Sequence, residues 1–318
     1  MVVFRHEFYS AIPLPEGHPY PIRKHEALCL SLGGLPVEWK EAVPADRGLL
    51  EAVHDPAYLD AFERGKLPPA AMRRDGFPWS PLLVRRTLNS VGGTVEAAKV
   101  ALERGLALQT AGGYHHAHRD YGAGYCMIND IVVAARALLD EGRCGQILVV
   151  DLDAHQGDGT AALTAGREDI LTLSLHGDRI FPARKALSRF DFPLPAGTGD
   201  RAYLSTLDRA LELALGSGRP DLIIYQAGVD IHEDDLLGKF ALSVEGIRLR
   251  DRKILDLAAD EAIPLLVLPG GGYQRDWRAL VPLHRIVFEE AAERSLSPAL
   301  QSWRGKFEAP RSSLNPCS

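Results

Sequence analysis

The stretch Ile147-Leu-Val-Val-Asp151-Leu-Asp153-Ala-His155-Gln-Gly-Asp158 changes character halfway along. Its first half is continuously apolar and β-branched, the pattern of a strand covered on both faces of a sheet. Its second half carries three carboxylates and an imidazole, which a buried strand cannot hold without partners. Ligands of open α/β sheets sit beyond the carboxyl ends of the strands, so this switch marks both a parallel sheet and a site.

Similar apolar runs recur on both sides. Ile170–Leu175, Leu222–Tyr225 and Ile263–Leu268 read as buried strands, and Leu106–Gln109 is a weaker one. Amphipathic helical patterns separate them, at about 91–104, 129–141, 201–216, 243–260 and 276–293. Asn129-Asp130 is a plausible helix cap. The alternation predicts a doubly wound, mostly parallel α/β sheet flanked by helices, in one domain spanning 1–318. Residues 1–90 read as a loop-rich rim with the first elements, because Pro13, Pro15, Pro19 and Pro21 crowd one segment. Residues 306–318, with Pro310 and Pro316, read as a loose tail.

Four of the predicted strand ends are polar. Besides Asp151–Asp158 they are Gly112-Gly-Tyr-His115-His116-Ala-His118, Gln226-Ala-Gly-Val-Asp230 and Pro269-Gly-Gly-Gly-Tyr273. Asp153 and His155 are spaced i, i+2, which on extended backbone puts both side chains on one side. Asp230 leaves its strand in the same neighbourhood and is the natural third ligand of a catalytic zinc with one open position. An Asp-x-His by itself is more often a polar strand end than a metal site. His115-His116 is a stronger signal, since one ring over the site can serve as general base and then acid, with Asp151 and Asp158 available to fix the tautomers. Tyr273 can donate to a developing oxyanion, although Gly-Gly-Gly-Tyr alone is commonly a flexible turn.

Composition narrows the class. With 36 basic and 42 acidic residues the chain carries a formal charge of -6, so nucleic acid is not an expected partner. No apolar run approaches the ~20 residues of a membrane span. The N-terminus lacks the pattern of a secretory signal. Cys29, Cys126, Cys144 and Cys317 form no CxxC pair and read as free thiols, so a cytoplasmic protein is expected.

Together, Gly112–His118, Gly124-Tyr-Cys126, Asp151–Asp158, Ala227-Gly-Val-Asp230 and Gly270-Gly-Gly-Tyr273 resemble the histone deacetylase family, with its arginase/deacetylase fold. Order and spacing agree over about residues 80 to 290, and Pro193–Gly199 is similar to a family loop. The resemblance implies zinc on Asp153, His155 and Asp230. It implies His116, paired with Asp158, as main general base and acid, and His115, paired with Asp151, as its helper. Tyr273 would polarise the acyl carbonyl. A structural potassium ion is implied at main-chain oxygens of Asp151, Asp153 and His155, with Ser174 and Leu175. Gly124, Tyr125, Phe181, Leu237 and Gly271 would line the substrate tunnel. Gln156 in place of a second histidine, with Gly122-Ala-Gly-Tyr-Cys126, looks closest to the class IV branch (histone deacetylase 11-like) and its bacterial members.

The implied reaction is hydrolysis of an N-acyl-lysine amide, acetyl or longer, on a peptide or protein. A small acylated amine such as an acetylpolyamine is the alternative substrate, and an acyl-lysine-binding protein without catalysis is the non-enzymatic alternative. Leu237 stands about where polyamine deacetylases carry a glutamate, and the acidic residue at the rim of many relatives has no clear counterpart, Asp75 being the nearest. A binuclear ureohydrolase on the same fold needs further aspartates where Gly157 and His232 stand. His6, His25, His54 and His284 read as surface or capping residues, whereas His18 and His176 lie on segments able to reach the rim of the site. Cys126 reads as a packing residue.

Overall fold

The computed structural model describes residues 1–295, so the predicted tail at 306–318 and Cys317 lie outside the described residues. Eight strands make one sheet: β1 (Val2–Arg5), β2 (Glu38–Glu41), β3 (Leu106–Gln109), β4 (Ile147–Asp151), β5 (Ile170–Gly177), β6 (Phe190–Leu194), β7 (Leu222–Gln226) and β8 (Leu265–Leu268). Their order is β2-β1-β3-β8-β7-β4-β5-β6, and every pairing is parallel. The expected helix-flanked parallel sheet is therefore what forms.

Ten helices accompany it among the described residues: α1 (Lys24–Ser31), α2 (Arg47–Glu51), α3 (Pro56–Glu63), α4 (Pro69–Asp75), α5 (Pro81–Arg104), α6 (Asp130–Asp140), α7 (Asp158–Leu163), α8 (Asp200–Leu215), α9 (Val244–Asp260) and α10 (Leu280–Ser295). Alternate residues of each central strand feed two cores. Leu148, Val150, Ile223 and Val267 pack with side chains of α1, α8, α9 and α10, while Ile147, Val149, Ile224 and Leu266 pack with α3, α5 and α6. A sheet covered on both faces needs this two-sided burial, which explains the unbroken apolar runs.

Three strands escape the apolar pattern. β2 is the polar segment Glu38-Trp-Lys-Glu41 at the sheet edge, β6 is the half-buried edge segment Phe190–Leu194, and β1 has only four residues. α5 starts ten residues before its predicted beginning at 91, because Ser80 caps it by accepting the Leu83 N–H and Pro81 occupies its first turn. The predicted 276–293 helix is split into a 3-10 turn at Trp277–Ala279 and α10.

The central strands β3, β8, β7 and β4 are neighbours in that order. Their carboxyl ends carry the four polar constellations, so the fold gathers residues separated by more than a hundred positions along one edge.

Candidate metal centre and active site

β4 ends at Asp151, and the chain then bends through Leu152–His155. Leu152 still donates its N–H to Gln226 O on β7, and Ala154 N–H donates to Asp230 Oδ1 at 2.8 Å. Asp153, His155 and Asp230 are thereby drawn together, each offering a donor atom within 4.8 Å of the others, and all three are buried. His155 Nδ1 lies 2.8 Å from Asp230 Oδ2 and 3.1 Å from Asp153 Oδ1. The other Asp153 oxygen accepts from Gln226 Nε2 at 2.7 Å and from Gly271 N–H at 2.9 Å.

The cluster is short of positive charge. Burial alone lowers an imidazole pKa, yet hydrogen bonds and charge from Asp153 and Asp230 raise His155 to about 10. Burial and the neighbouring Asp153 hold Asp230 well above the ordinary carboxylate range. Two buried carboxylates converging on one imidazole are the donors of a dication site with Asp₂His character. Space is reserved as well: a Cβ on Gly271 would fall 2.6 Å from Asp153 Oδ2 and 2.7 Å from Asp230 Oδ2. The residues present fit a metal ion.

Two histidine–carboxylate pairs face this cradle. His115 Nδ1 and Asp151 Oδ2 are 2.7 Å apart, and so are His116 Nδ1 and Asp158 Oδ1. Both carboxylates accept from Nδ1–H and leave Nε2 directed elsewhere. Burial opposes charge on both rings. For His115 the carboxylates of Asp151 and Asp153 overcome it and hold the ring at about 9, whereas His116, beside that charge, is pushed down to about 4. The two adjacent rings thus differ in their hold on a proton, which suits them to different tasks.

Tyr273 lines the same inner pocket, which has a free volume of about 30 Å³. Its N–H donates to Asp235 Oδ2 at 2.6 Å, and burial raises its phenol pKa, keeping it a donor. Gly124 (φ +56°) approaches the His116 ring so closely that a Cβ would sit 2.7 Å from it. Tyr125 takes φ 66°, a conformation rare for a side-chain-bearing residue, and its N–H donates to Asp75 O at 2.7 Å. Its ring packs with Tyr20, Phe77, His18 and Tyr273. Phe181 stands edge-on to His116 with centroids 4.8 Å apart. Leu237 lies outside the inner pocket, in a groove beside its mouth. Ser174 pairs in register with Asp151, and Leu175 follows it in the core, so the residues expected around potassium gather at the β4–β5 end.

Several expectations need correction. His25, His54 and His284 are buried rather than at the surface. His54 donates from Nδ1 to His118 O and accepts the Asn129 N–H at Nε2, which locks it neutral, and burial lowers it to about 4. His25 lies under the inner pocket against Tyr20 and Thr110 O, and His284 beneath Gly272. His6 does cap the 3-10 turn Glu7–Ser10. Asp75 is no rim acid: it is buried, which raises its carboxyl to about 7, and it supports Tyr125 from behind. His18 reaches the wall beside Tyr125, bonded to Gly76 O at 2.9 Å, whereas His176 faces Ser174, away from the pocket. Cys126 is buried, as a packing residue should be. A Cβ at Gly157 would come within 2.4 Å of Asp151 Oδ2, and His232 Nδ1 accepts the Asp234 N–H and lies 3.2 Å from Gln274 Nε2, so neither position carries the carboxylate that a second metal would need.

Three partners had no role in the sequence reading. Gln226 fixes Asp153. His118 Nε2 sits 3.1 Å from Asp158 Oδ2, giving that carboxylate two imidazoles, and stacks on Tyr121. Lys24 donates to Gly270 O at 3.0 Å, and burial lowers it to about 8. The third histidine of His-His-Ala-His was a visible signal for His118; Lys24, within Arg23-Lys24-His25, resembles a solvated basic run.

Residues 22–282 match the family described as the histone deacetylase domain. The chain is 41% identical over 297 residues to an uncharacterised protein of Picosynechococcus sp., covering 92% of this chain and 98% of that one. It is 37% identical over 188 residues to Histone deacetylase 2 of Arabidopsis thaliana, covering 58% of this chain and about half, 49%, of the plant protein. Two solved structures share the fold. An acetylpolyamine aminohydrolase from Burkholderia pseudomallei superposes with a TM-score of 0.72 at 21% identity, covering 91% of this chain and 98% of that chain. The HDA15 HD domain gives 0.76 at 18% identity, covering 96% and 99%. The expected arginase/deacetylase fold is thus present, and the chain belongs to the histone deacetylase domain family and, with it, to the hydrolases that act on amide bonds.

Proposed function

We propose that this protein is a zinc-dependent deacylase that hydrolyses the amide of N-acyl-lysine, of the class IV branch, with residues 1–318 forming one catalytic domain. The observation that carries this reading is the convergence, around one narrow pocket, of the buried Asp153–His155–Asp230 cradle, two His–Asp pairs and the Tyr273 phenol. Zinc held by that cradle supplies a Lewis acid for the acyl carbonyl and makes water acidic enough to react at neutral pH.

The side chains divide the remaining work. His116, neutral and held at Nδ1 by Asp158, takes a proton from water at Nε2 and returns it to the leaving lysine nitrogen. His115, held at Nδ1 by Asp151, helps to oppose the negative charge that develops on the acyl oxygen. Tyr273 donates its phenol hydrogen to the same oxygen. Gly124, Tyr125, Phe181 and Gly271 enclose the lysine methylenes, and Leu237 contacts the substrate further out. A potassium ion on main-chain oxygens of Asp151, Asp153 and His155, with Ser174 and Leu175, steadies the β4–β5 end. The free thiols Cys29, Cys126 and Cys144 fit the cytoplasm, and no described helix is long and apolar enough to cross a membrane.

The test is turnover of matched peptides carrying acetyl-, octanoyl- or myristoyl-lysine, alongside acetylputrescine and acetylspermidine, with and without a zinc chelator. Chelator-sensitive release from the lysine peptides is expected, and the chain length released fastest sets the acyl class. Cleavage of the polyamines alone would move the assignment to small amines, and no turnover by zinc-loaded protein would overturn it.

A further inference from the structure

Beside the mouth of the inner pocket runs a second, larger depression of about 870 Å³. One wall is the segment at 12–23, stiffened by Pro13, Pro15, Pro19 and Pro21; the other holds Leu236, Leu237 and Trp277. Tyr20 and Tyr273 belong to both spaces, so the groove begins where the inner pocket ends. Leu236 donates its N–H to Tyr273 O at 2.8 Å, tying the outer wall to the backbone of the site. Leu236 and Leu237 are 48% and 41% exposed, an uncovered apolar pair.

The charge in this groove is unspent. Arg23 and Arg275 line it, both are exposed, and neither makes an ion pair or side-chain hydrogen bond with any described residue. Asp276, adjacent in sequence to Arg275, instead caps the Trp277–Ala279 turn and pairs with Arg278. Among the described residues Glu16 is the one acidic residue lining the groove and it pairs with none of them, leaving a local excess of one positive charge on a chain of net charge -6.

We propose that this groove seats the polypeptide flank of the substrate and selects flanks that combine a carboxylate with apolar residues. The inference rests on the N-acyl-lysine reading of the inner pocket and extends it outward. A free carboxylate satisfies Arg23 and Arg275, and apolar side chains cover Leu236, Leu237 and Trp277. A polyamine does neither: it brings more positive charge to two unpaired guanidinium groups and leaves the leucines wet. The proline-rich wall is stiff, so little order is lost when a peptide is laid against it.

The experiment compares two acetyl-lysine peptides of one sequence, with Asp or with Lys at the flanking positions, together with a blocked acetyl-lysine amide that has no flanks. In the wild type the acidic peptide should exceed the basic one in kcat/KM by roughly three- to tenfold, the size of two exposed ion pairs. The ratio should shrink as salt rises. It should fall toward one in Arg23→Ala/Arg275→Ala and invert in Arg23→Glu/Arg275→Glu. Because the ratio is taken within each protein, a general loss of activity or stability cancels. Turnover of the blocked amide without an acidic preference in the wild type overturns the groove alone, as does a preference that survives the double substitution. Failure to turn over even the blocked amide brings down the deacylase reading, and the groove with it.

Discussion

The inner pocket and the outer groove share two tyrosines and are built on opposite terms. In the pocket the ionisable groups are buried and each is hydrogen-bonded: Asp153 to Gln226 and Gly271, Asp151 to His115, and Asp158 to His116 and His118. They stand at the ends of adjacent sheet strands and on the loops those strands launch, where a small displacement would be resisted by the whole core. In the groove, two arginines and a glutamate have no side-chain partner among the described residues, and two leucines are exposed. A preorganised centre performs one reaction on whatever reaches it, and an unsatisfied rim decides what reaches it. Substitutions inside should therefore lower turnover of every substrate, by about tenfold or more, while those outside should shift ratios between substrates.

The sharpest break would come from Asp230→Asn. It removes a carboxylate from the cradle and should abolish stoichiometric metal binding, with kcat/KM down by at least about three orders of magnitude; metal content and turnover measured on one sample check both. Tyr273→Phe should retain the metal and lower kcat by about a hundred- to a thousandfold with KM little changed, the loss of one donor at a developing oxyanion. Wild-type kcat in this variant would remove Tyr273 from the chemistry.

The strands that carry the inner site were readable because sheets covered on both faces demand unbroken apolar runs, and Ile147–Val150 next to three carboxylates has few other readings. The polar edge strand β2, Glu38-Trp-Lys-Glu41, was not, since only its pairing with β1 makes it a strand. Burial of a single polar residue was equally hidden. His25, His54 and His284 look like surface residues until the fold closes over them, and Asp75, the nearest candidate for a rim acid without a clear counterpart, proves to lie behind Tyr125. Gln226 was quoted as part of a strand end, but its grip on Asp153 depends on β7 lying beside β4, which is a property of strand order. The groove was invisible for the same reason, being made of segments more than two hundred residues apart.

Smaller effects sharpen the boundary between the two regions. His118→Phe preserves a ring against Tyr121 but leaves Asp158 with one imidazole; kcat should fall by about tenfold, with metal content unchanged. The arginine substitutions in the groove should change only the peptide ratio. The smallest effect on turnover at neutral pH should come from the packing beneath the loops. His54 is held neutral with its pKa lowered to about 4, so the folded state binds this proton less readily than the unfolded chain. Its contribution is fully present above about pH 6.5 and is lost as pH falls toward 4. Urea unfolding across that range should show stability dropping as pH is lowered. His54→Gln should be less stable at pH 7 and have a shallower slope; an unchanged slope would mean that His54 does not gate the acid response.

The central claim is that one metal ion, held by Asp153, His155 and Asp230, drives amide hydrolysis in the inner pocket. Titrating zinc into the chelated protein while following acetate release from an acetyl-lysine peptide tests it directly. Activity should return linearly and level off at about one zinc per chain, with no recovery in Asp230→Asn. Full activity in the chelated protein, or a break at two metals per chain, would contradict it.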